Sequence, residues 1–216
     1  MKNWMKINPA LKATILLTMI LFICLLNLHS MVKHELMMIS DWELISINAT
    51  FIFLPVLTDK FSMLFSMIIM LISLNVMLFT MSYMSKDPNL EYFVMMVMLF
   101  ILSMNLLIFL PSVIMLLMGW DGLGLTSYML VIFYSNSKSL AAGMITALTN
   151  RIGDALLIIT ASWILITGNW QMAFSTQSLT LFMMMAMFLA AMTKSAQLPF
   201  SAWLPAAMAA PTPVSA

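Results

Sequence analysis

The sequence predicts an all-α fold, a polytopic membrane helix bundle with about six transmembrane helices. Of its 216 residues, 63% are hydrophobic and only 8% are charged, whereas a soluble globular protein carries about 25% charged residues. Six apolar segments reach the roughly 20 residues that a helix needs to cross a bilayer. Because so few charges cannot keep a large surface hydrated, the chain is expected to be an integral membrane protein.

Polar residues separate the apolar segments and set the approximate ends of each helix. The predicted spans are 10–28, 61–84, 91–110, 112–134, 139–167 and 179–198. Pro111 is expected to open the fourth helix, where its missing N–H costs little. The less regular stretch 44–60 is expected to be strand-like or a re-entrant loop. Without a linker or an internal repeat, residues 1–216 are predicted to form a single transmembrane domain.

The distribution of lysines predicts the orientation in the membrane. Alternate loops divide five against two: Lys2, Lys6, Lys12, Lys86 and Lys138 on one side, Lys33 and Lys60 on the other. Since lysine and arginine accumulate on the electrically negative side of a membrane, the N-terminus is predicted to lie there.

The inventory of possible metal and cofactor ligands is poor. One cysteine, Cys24, and two histidines, His29 and His34, are present, too few for a disulfide framework, a haem or an iron–sulfur cluster held by this chain alone. We expect no metal, haem, flavin or quinone to be bound by it. The net charge of +1 gives no reason to expect a nucleic-acid partner.

Four charged residues fall inside predicted spans rather than at their ends: Asp121, Arg151, Asp154 and Lys194. Each costs roughly 2.5–3.5 kcal/mol at a helix centre, so such residues usually face a bundle interior or a wet cavity. Arg151 and Asp154 are three residues apart and share a helix face. They are expected to lie within the bundle, either as a purely structural ion pair or with Arg151 as a fixed charge that tunes its neighbours.

Asp121 and Lys194 are the candidates for proton handling. Asp121 lies in the glycine-rich stretch GWDGLG (119–124), which lets another backbone approach closely; the alternative is a helix contact without further function. Desolvation favours a neutral lysine and a nearby carboxylate favours a charged one, so Lys194 is able to act as a switch. The alternative is that its side chain extends to the membrane interface.

Prolines follow Lys194 at once and predict that the last helix is broken near them. Pro199 and Pro205 each remove a backbone donor and disrupt helix. Non-helical backbone at membrane depth is tolerated only inside protein or beside water, and broken membrane helices are associated with ion pathways. A hydrated proton path beside Lys194 is therefore expected.

Three stretches carry a resemblance to a known family: GWDGLGLTSYMLVIFY (119–134), NRIGDALLI (150–158) and TKSAQLPFSAWLPAAMAAPTPVSA (193–216). Together they resemble the chain 5 subunits of mitochondrial NADH:ubiquinone oxidoreductase, respiratory complex I. The 27 methionines agree with this, because many animal mitochondria read AUA as methionine. Members of this family are much longer, so the chain is expected to be the N-terminal part of such a subunit, incomplete at its C-terminus and lacking one N-terminal helix.

The resemblance implies an antiporter-like proton channel in the mitochondrial inner membrane. It implies that Asp121 and Lys194 match the acid and the lysine of the family's proton-handling pair, and that Arg151 and Asp154 match its charged helix. NADH and ubiquinone are then used by the complex, and the expected partners are other membrane-arm subunits, lipids and protons. Two alternatives are the large subunit of a multisubunit cation/proton antiporter, without redox coupling, and a purely structural membrane scaffold.

Overall fold

The computed structural model describes residues 8–34, 37–47, 50–167, 181–208 and 210–215. Their order is helix, hairpin, then a series of helices: α1 (Pro9–His34), β1 (Met38–Ile47), β2 (Thr50–Thr58), α2 (Lys60–Tyr83), α3 (Leu90–Phe109), α4 (Val113–Val131), α5 (Ser137–Thr167), α6 (Leu181–Lys194), α7 (Trp203–Ala207) and α8 (Thr212–Ser215). Each of the six predicted apolar segments forms a helix.

The helical membrane fold is confirmed. Among the described residues, four helices are long and apolar enough to cross a membrane, Pro9–Lys33, Lys60–Tyr83, Leu90–Phe109 and Ser137–Trp163, and two shorter apolar helices are Met115–Val131 and Leu181–Lys194. Large apolar side chains cover the outside, including Phe22, Phe61 and Phe188. Lipid acyl chains are the solvent that suits such a surface.

Small hydroxyl residues let α2 pack closely on its neighbours. Its buried face includes Ser66, Ser73 and Thr80, which recur every seven residues. Each hydroxyl donates to the carbonyl oxygen three residues earlier, at 2.7–2.9 Å, so none of these groups is left unsatisfied in the apolar interior. The small side chains bring α2 close to α1 and α3. This part of the core is completed by apolar residues including Leu17 and Phe93.

A β-hairpin connects α1 to α2, and it departs from the all-α prediction. β1 and β2 are antiparallel, with Met38 opposite Thr58 and an irregularity between Glu43 and Ile45. Of the two alternatives predicted for 44–60, a strand-like segment and a re-entrant loop, the structure has the strand. Strand pairing begins earlier than predicted, at Met38. β1 contains three isoleucines, and β2 contains threonine, isoleucine and valine; these β-branched residues fit a pleated ribbon.

The fourth helix begins at Val113, one residue after the start of the predicted span 112–134 and two residues after Pro111, which was expected to open it. Leu110, which precedes Pro111, is extended at φ −108° and ψ 100°, as the ring of a following proline requires. Ser112 is the N-cap, and the Leu116 N–H donates to its carbonyl oxygen at 2.8 Å. Pro111 therefore ends the preceding turn instead of opening the helix.

The last helix is broken, as predicted, and the break begins immediately after Lys194. Ala196 has a positive φ of 52°, and the Gln197 N–H donates to the Met192 carbonyl oxygen at 3.2 Å. This is the six-to-one bond of a Schellman cap, with alanine at the position that glycine usually occupies. The predicted span 179–198 thus ends four residues early, and its first two residues lie outside the described part of the chain.

Candidate functional site

Three helices bring the four predicted site residues to one region of the bundle. Asp121 lies on α4, Arg151 and Asp154 lie on α5, and Lys194 is the last residue of α6. α5 packs between the other two helices, against α4 on one side and α6 on the other. Residues separated by more than seventy positions in the sequence therefore share one polar region.

Arg151 lies between two carboxylates. Its Nη1 is 3.4 Å from Oδ2 of Asp154 and 3.8 Å from Oδ1 of Asp121. The carboxyl groups of Asp121 and Asp154 therefore lie around one guanidinium. A permanently charged guanidinium offsets the repulsion between the two acids, so Arg151 makes it possible for α4 and α5 to place both at one site.

The exposure of the pair on α5 differs from the expectation that both lie inside the bundle. The side chain of Asp154 is 10% exposed, whereas that of Arg151 is 62% exposed among the described helices. Arg151 reaches outward from α5 because it also contacts Asp121, whose side chain is 46% exposed. The two carboxylates thus differ in environment: Asp154 is enclosed and Asp121 is partly open.

Lys194 does not form a direct ion pair with Asp121. Its ammonium Nζ donates to the backbone carbonyl oxygen of Trp120 at 3.2 Å and lies 5.2 Å from the centroid of the Trp120 ring. Within the described residues, no carboxylate oxygen lies within 4 Å of it. The described arrangement is therefore one in which the lysine is close to the acids but separated from them.

Gly124 makes room for this position of Lys194. A Cβ at Gly124 would lie 3.4 Å from Nζ of Lys194 and 3.9 Å from Nδ2 of Asn150. A larger side chain at this position of α4 would displace the ammonium. The glycine that sequence reasoning attributed to close backbone approach thus also gives space to a charged side chain.

A polar cavity of about 210 Å³ lies beside the charged groups. Its lining comes from one face of α4 and one face of α5: Asp121, Gly124, Leu125, Tyr128, Ala147, Asn150, Arg151 and Asp154. Both carboxylates and the guanidinium border this space. It is large enough to hold several water molecules, which occupy about 30 Å³ each in the liquid.

Two contacts fix the end of α6 and hence the position of Lys194. The Trp203 indole N–H donates to the Thr193 carbonyl oxygen at 2.8 Å, which the break in the helix would otherwise leave without a donor. The Thr193 side chain, completely buried, fills the space that a Cβ at Gly153 would need. α6 is thereby held against α5 at the level of Arg151 and Asp154.

Sequence reasoning missed Trp120, Asn150 and Trp203. Each adjoins a residue that it did single out: Trp120 precedes Asp121, Asn150 precedes Arg151, and Trp203 lies in the proline-rich segment. The spacing of Asn150 from Asp154, four residues on a helix, was the available signal for a shared face. The contact of Lys194 with Trp120 depends on the angle between α4 and α6, which spacing does not predict.

The structure gives no candidate metal site in the part of the chain that it describes, where no cluster of three or more histidine, cysteine or acidic residues occurs. The prediction that no cofactor is bound by this chain stays a prediction.

Two family models match most of the chain. One, described as NADH:quinone oxidoreductase/Mrp antiporter, TM, matches residues 110–216, which include the four charged residues. The other, described as the N-terminus of NADH-ubiquinone oxidoreductase (complex I) chain 5, matches residues 42–94.

Solved structures share the fold. The chain is similar to a chain of the Mrp complex from a Dietzia species, with a TM-score of 0.80 and 25% identity over 94% of this chain and 23% of that one. It is also similar in fold to a chain of the membrane-bound sulfane sulfur reductase, an archaeal respiratory membrane complex. There the TM-score is 0.79 and the identity 19%, over 94% of this chain and 43% of that one.

Curated relatives are more similar in sequence, and they carry the name NADH-ubiquinone oxidoreductase chain 5. The relatives from Lumbricus terrestris and Locusta migratoria are each 49% identical, over 86% and 81% of this chain, which spans 33% and 32% of their length. The relative from Anopheles quadriannulatus is 46% identical over 84% of this chain and 71% of its own length. The chain belongs to the NADH-ubiquinone oxidoreductase chain 5 family.

Proposed function

We propose that the chain is part of a membrane-arm subunit of NADH:ubiquinone oxidoreductase that moves protons across the mitochondrial inner membrane as NADH is oxidised by ubiquinone. Its partners are the other membrane-arm subunits, with lipid around the apolar surface. NADH and ubiquinone act elsewhere in the complex, and this chain supplies no redox centre. Residues 1–216 act as one transmembrane domain of the longer subunit.

One observation carries the proposal: two acids and an arginine border a cavity, and a lysine at the end of a broken membrane helix lies next to the same part of α4. Each such charge costs roughly 2.5–3.5 kcal/mol at a helix centre, and a scaffold would not need them. The contact of Lys194 with the Trp120 carbonyl oxygen supports a lysine that changes partners.

The proposed mechanism uses two positions of Lys194. In the position described here, Nζ is held by Trp120, and Arg151 neutralises the acids. In the second position, the ammonium approaches Asp154, the more enclosed of the two carboxylates. The exchange of the Trp120 carbonyl oxygen for a carboxylate as partner of the ammonium supplies the work of proton transfer, which is roughly 2.3 kcal/mol for one charge moved through 100 mV.

The proposal is tested by Lys194→Met in the full-length subunit, assembled in its complex and reconstituted in sealed vesicles. Methionine keeps the length of the side chain and removes the charge. Protons translocated per NADH oxidised are expected to fall strongly, while assembly is retained. The matched control is Lys138→Met, at an exposed lysine in the first turn of α5. Normal pumping by a fully assembled Lys194→Met complex would refute the proposal.

A second candidate function is cation/proton exchange without redox coupling, favoured by the likeness to the Mrp complex. The identity of 46–49% with chain 5 relatives exceeds the 25% identity with that structure, and it supports the first proposal. Proton movement that depends on sodium and continues without NADH would support the second.

A further inference from the structure

Asn150 belongs to the charged region without being charged. It lies one helical turn before Asp154 on α5, is only 6% exposed, and lines the polar cavity with both acids. Its Oδ1 has no hydrogen-bond partner among the described residues, and the same is true of Oδ1 of Asp154. Two buried acceptors thus border one cavity without a protein donor.

An unsatisfied buried acceptor is unfavourable, and more so when it is charged. Water satisfies such atoms when the space is polar and two to four partners are available. The cavity of about 210 Å³ provides both the space and the partners. We propose that Asn150 is a positioning residue that holds a water molecule between Asp154 and Lys194; this inference rests on the proposed proton transfer.

The position of Lys194 relative to Asn150 makes such a bridge possible. A Cβ at Gly124 would lie 3.4 Å from Nζ of Lys194 and 3.9 Å from Nδ2 of Asn150, so the two side chains border the same point of α4. The bound water donates one hydrogen to Oδ1 of Asn150 and the other to Oδ1 of Asp154. Its remaining lone pairs are then free to accept from Nζ of Lys194. Asn150 thereby fixes the orientation of the water without adding a charge to the site.

The water relays the proton from Lys194 to Asp154 and is not consumed. An N–H bond of the Lys194 ammonium breaks and its proton joins the water oxygen. The O–H bond that points to Asp154 breaks, and its proton forms a new O–H bond on the carboxylate. An ammonium and a carboxylate become an amine and a carboxylic acid, and the water is regenerated. The amide of Asn150 takes up no proton during the transfer. An ionisable side chain at this position would retain the proton.

The test is Asn150→Leu in the full-length subunit within the assembled complex, with the rate of proton translocation measured in sealed vesicles. Leucine has a similar size and cannot bind the water, so the rate is expected to fall about tenfold. Asn150→Ser keeps a hydroxyl with space for another water, and it is expected to retain most of the rate. In a high-resolution structure of the unsubstituted complex, a water is expected between Oδ1 of Asn150 and Oδ1 of Asp154.

Asn105 provides a matched control for the same substitution. It is another intramembrane asparagine whose Oδ1 is buried without a partner among the described residues, and its Nδ2 donates to the Ile101 carbonyl oxygen at 2.8 Å. It lines an apolar cavity between α1, α2 and α3, away from the four charges. Asn105→Leu is expected to leave proton translocation unchanged.

The outcomes separate this inference from the proposed function. Loss of pumping in Lys194→Met together with normal pumping in Asn150→Leu would overturn the role of Asn150 and leave the proposed function standing. Normal pumping in both variants would overturn both. If Asn150→Leu fails to assemble, the pumping rate of Asn150→Ser and the structure of the unsubstituted complex decide, and a missing water between the two oxygens refutes the inference.

Discussion

At the scale of single residues, the site depends on how four charges are divided among partners. Arg151 is shared by Asp121 and Asp154, and Lys194 is held by Trp120. The sequence predicted the four charges from their depth in apolar segments. It could not predict these partners, because an arginine that contacts both acids competes with the lysine for them, and that competition depends on distances between helices.

Trp120→Leu tests the ring as a binding position for Lys194. The backbone carbonyl remains, but the cation–π contact, worth about 0.5–2 kcal/mol, is lost. We expect the rate of proton translocation to fall a few-fold, while Trp120→Phe, which keeps an aromatic face, retains most of it. Equal rates in the leucine variant, the phenylalanine variant and the unsubstituted complex would contradict a role for the ring.

Arg151→Gln tests the shared guanidinium. Without it, two close carboxylates repel each other across α4 and α5, so we expect a lower yield of assembled complex and weaker proton translocation. Asp121→Asn combined with Arg151→Gln removes this repulsion between charges and should recover part of the yield. If the change in yield of the double variant equals the sum of the changes in the two single variants, Asp121 and Arg151 are not energetically coupled.

At the scale of helices and strands, hydropathy predicted positions well and ends less well. The predicted span 61–84 became Lys60–Tyr83, and 91–110 became Leu90–Phe109, because polar turns coincide with helix ends there. α6 ended early because its cap at Ala196 and the bond from Trp203 are set by tertiary contacts. The hairpin began before its predicted region because charged residues in β1 concealed the strand pattern.

Gly153→Ala tests the contact between α5 and α6. The added methyl group would overlap the Thr193 side chain, which is completely buried and lies next to Lys194. We expect separation of the two helices and reduced proton translocation in the assembled complex. Gly143→Ala, on the same helix, is the control for added volume: its methyl group would meet Cγ1 and Cδ1 of Ile132 instead of Thr193. Equal effects of the two substitutions would show that the Thr193 contact is not special.

Ala196→Gly tests the cap at the break. An L-residue in the left-handed region is unfavourable by roughly 1–2 kcal/mol, and glycine avoids this penalty. Because glycine also gains freedom in the unfolded chain, we expect a net gain of under about 1 kcal/mol, seen as slower thermal inactivation of the complex. Faster inactivation of Ala196→Gly would contradict the described backbone at this position.

At the scale of the whole molecule, the order of the helices and the distribution of the lysines predict the same membrane topology. Each helix that crosses the membrane reverses the side on which the next connection lies. The turn after α2, at 84–89, and the turn after α4, at 132–136, therefore lie on the same side as the start of α1, and the hairpin lies on the other. Lys86 lies in the first of these turns and Lys138 follows the second, which agrees with a negative side there.

Cysteine accessibility tests this orientation in the assembled complex. In a Cys24→Ala background, Ser40→Cys places an exposed thiol in β1 and Ser85→Cys places one in the turn after α2. In intact mitoplasts, a membrane-impermeant maleimide is expected to label Ser40→Cys and to label Ser85→Cys only after permeabilisation, because the negative side of the inner membrane faces the matrix. The reverse pattern would show that the lysines do not set the orientation. Labelling of both thiols in intact mitoplasts would mean that α2 does not cross the membrane.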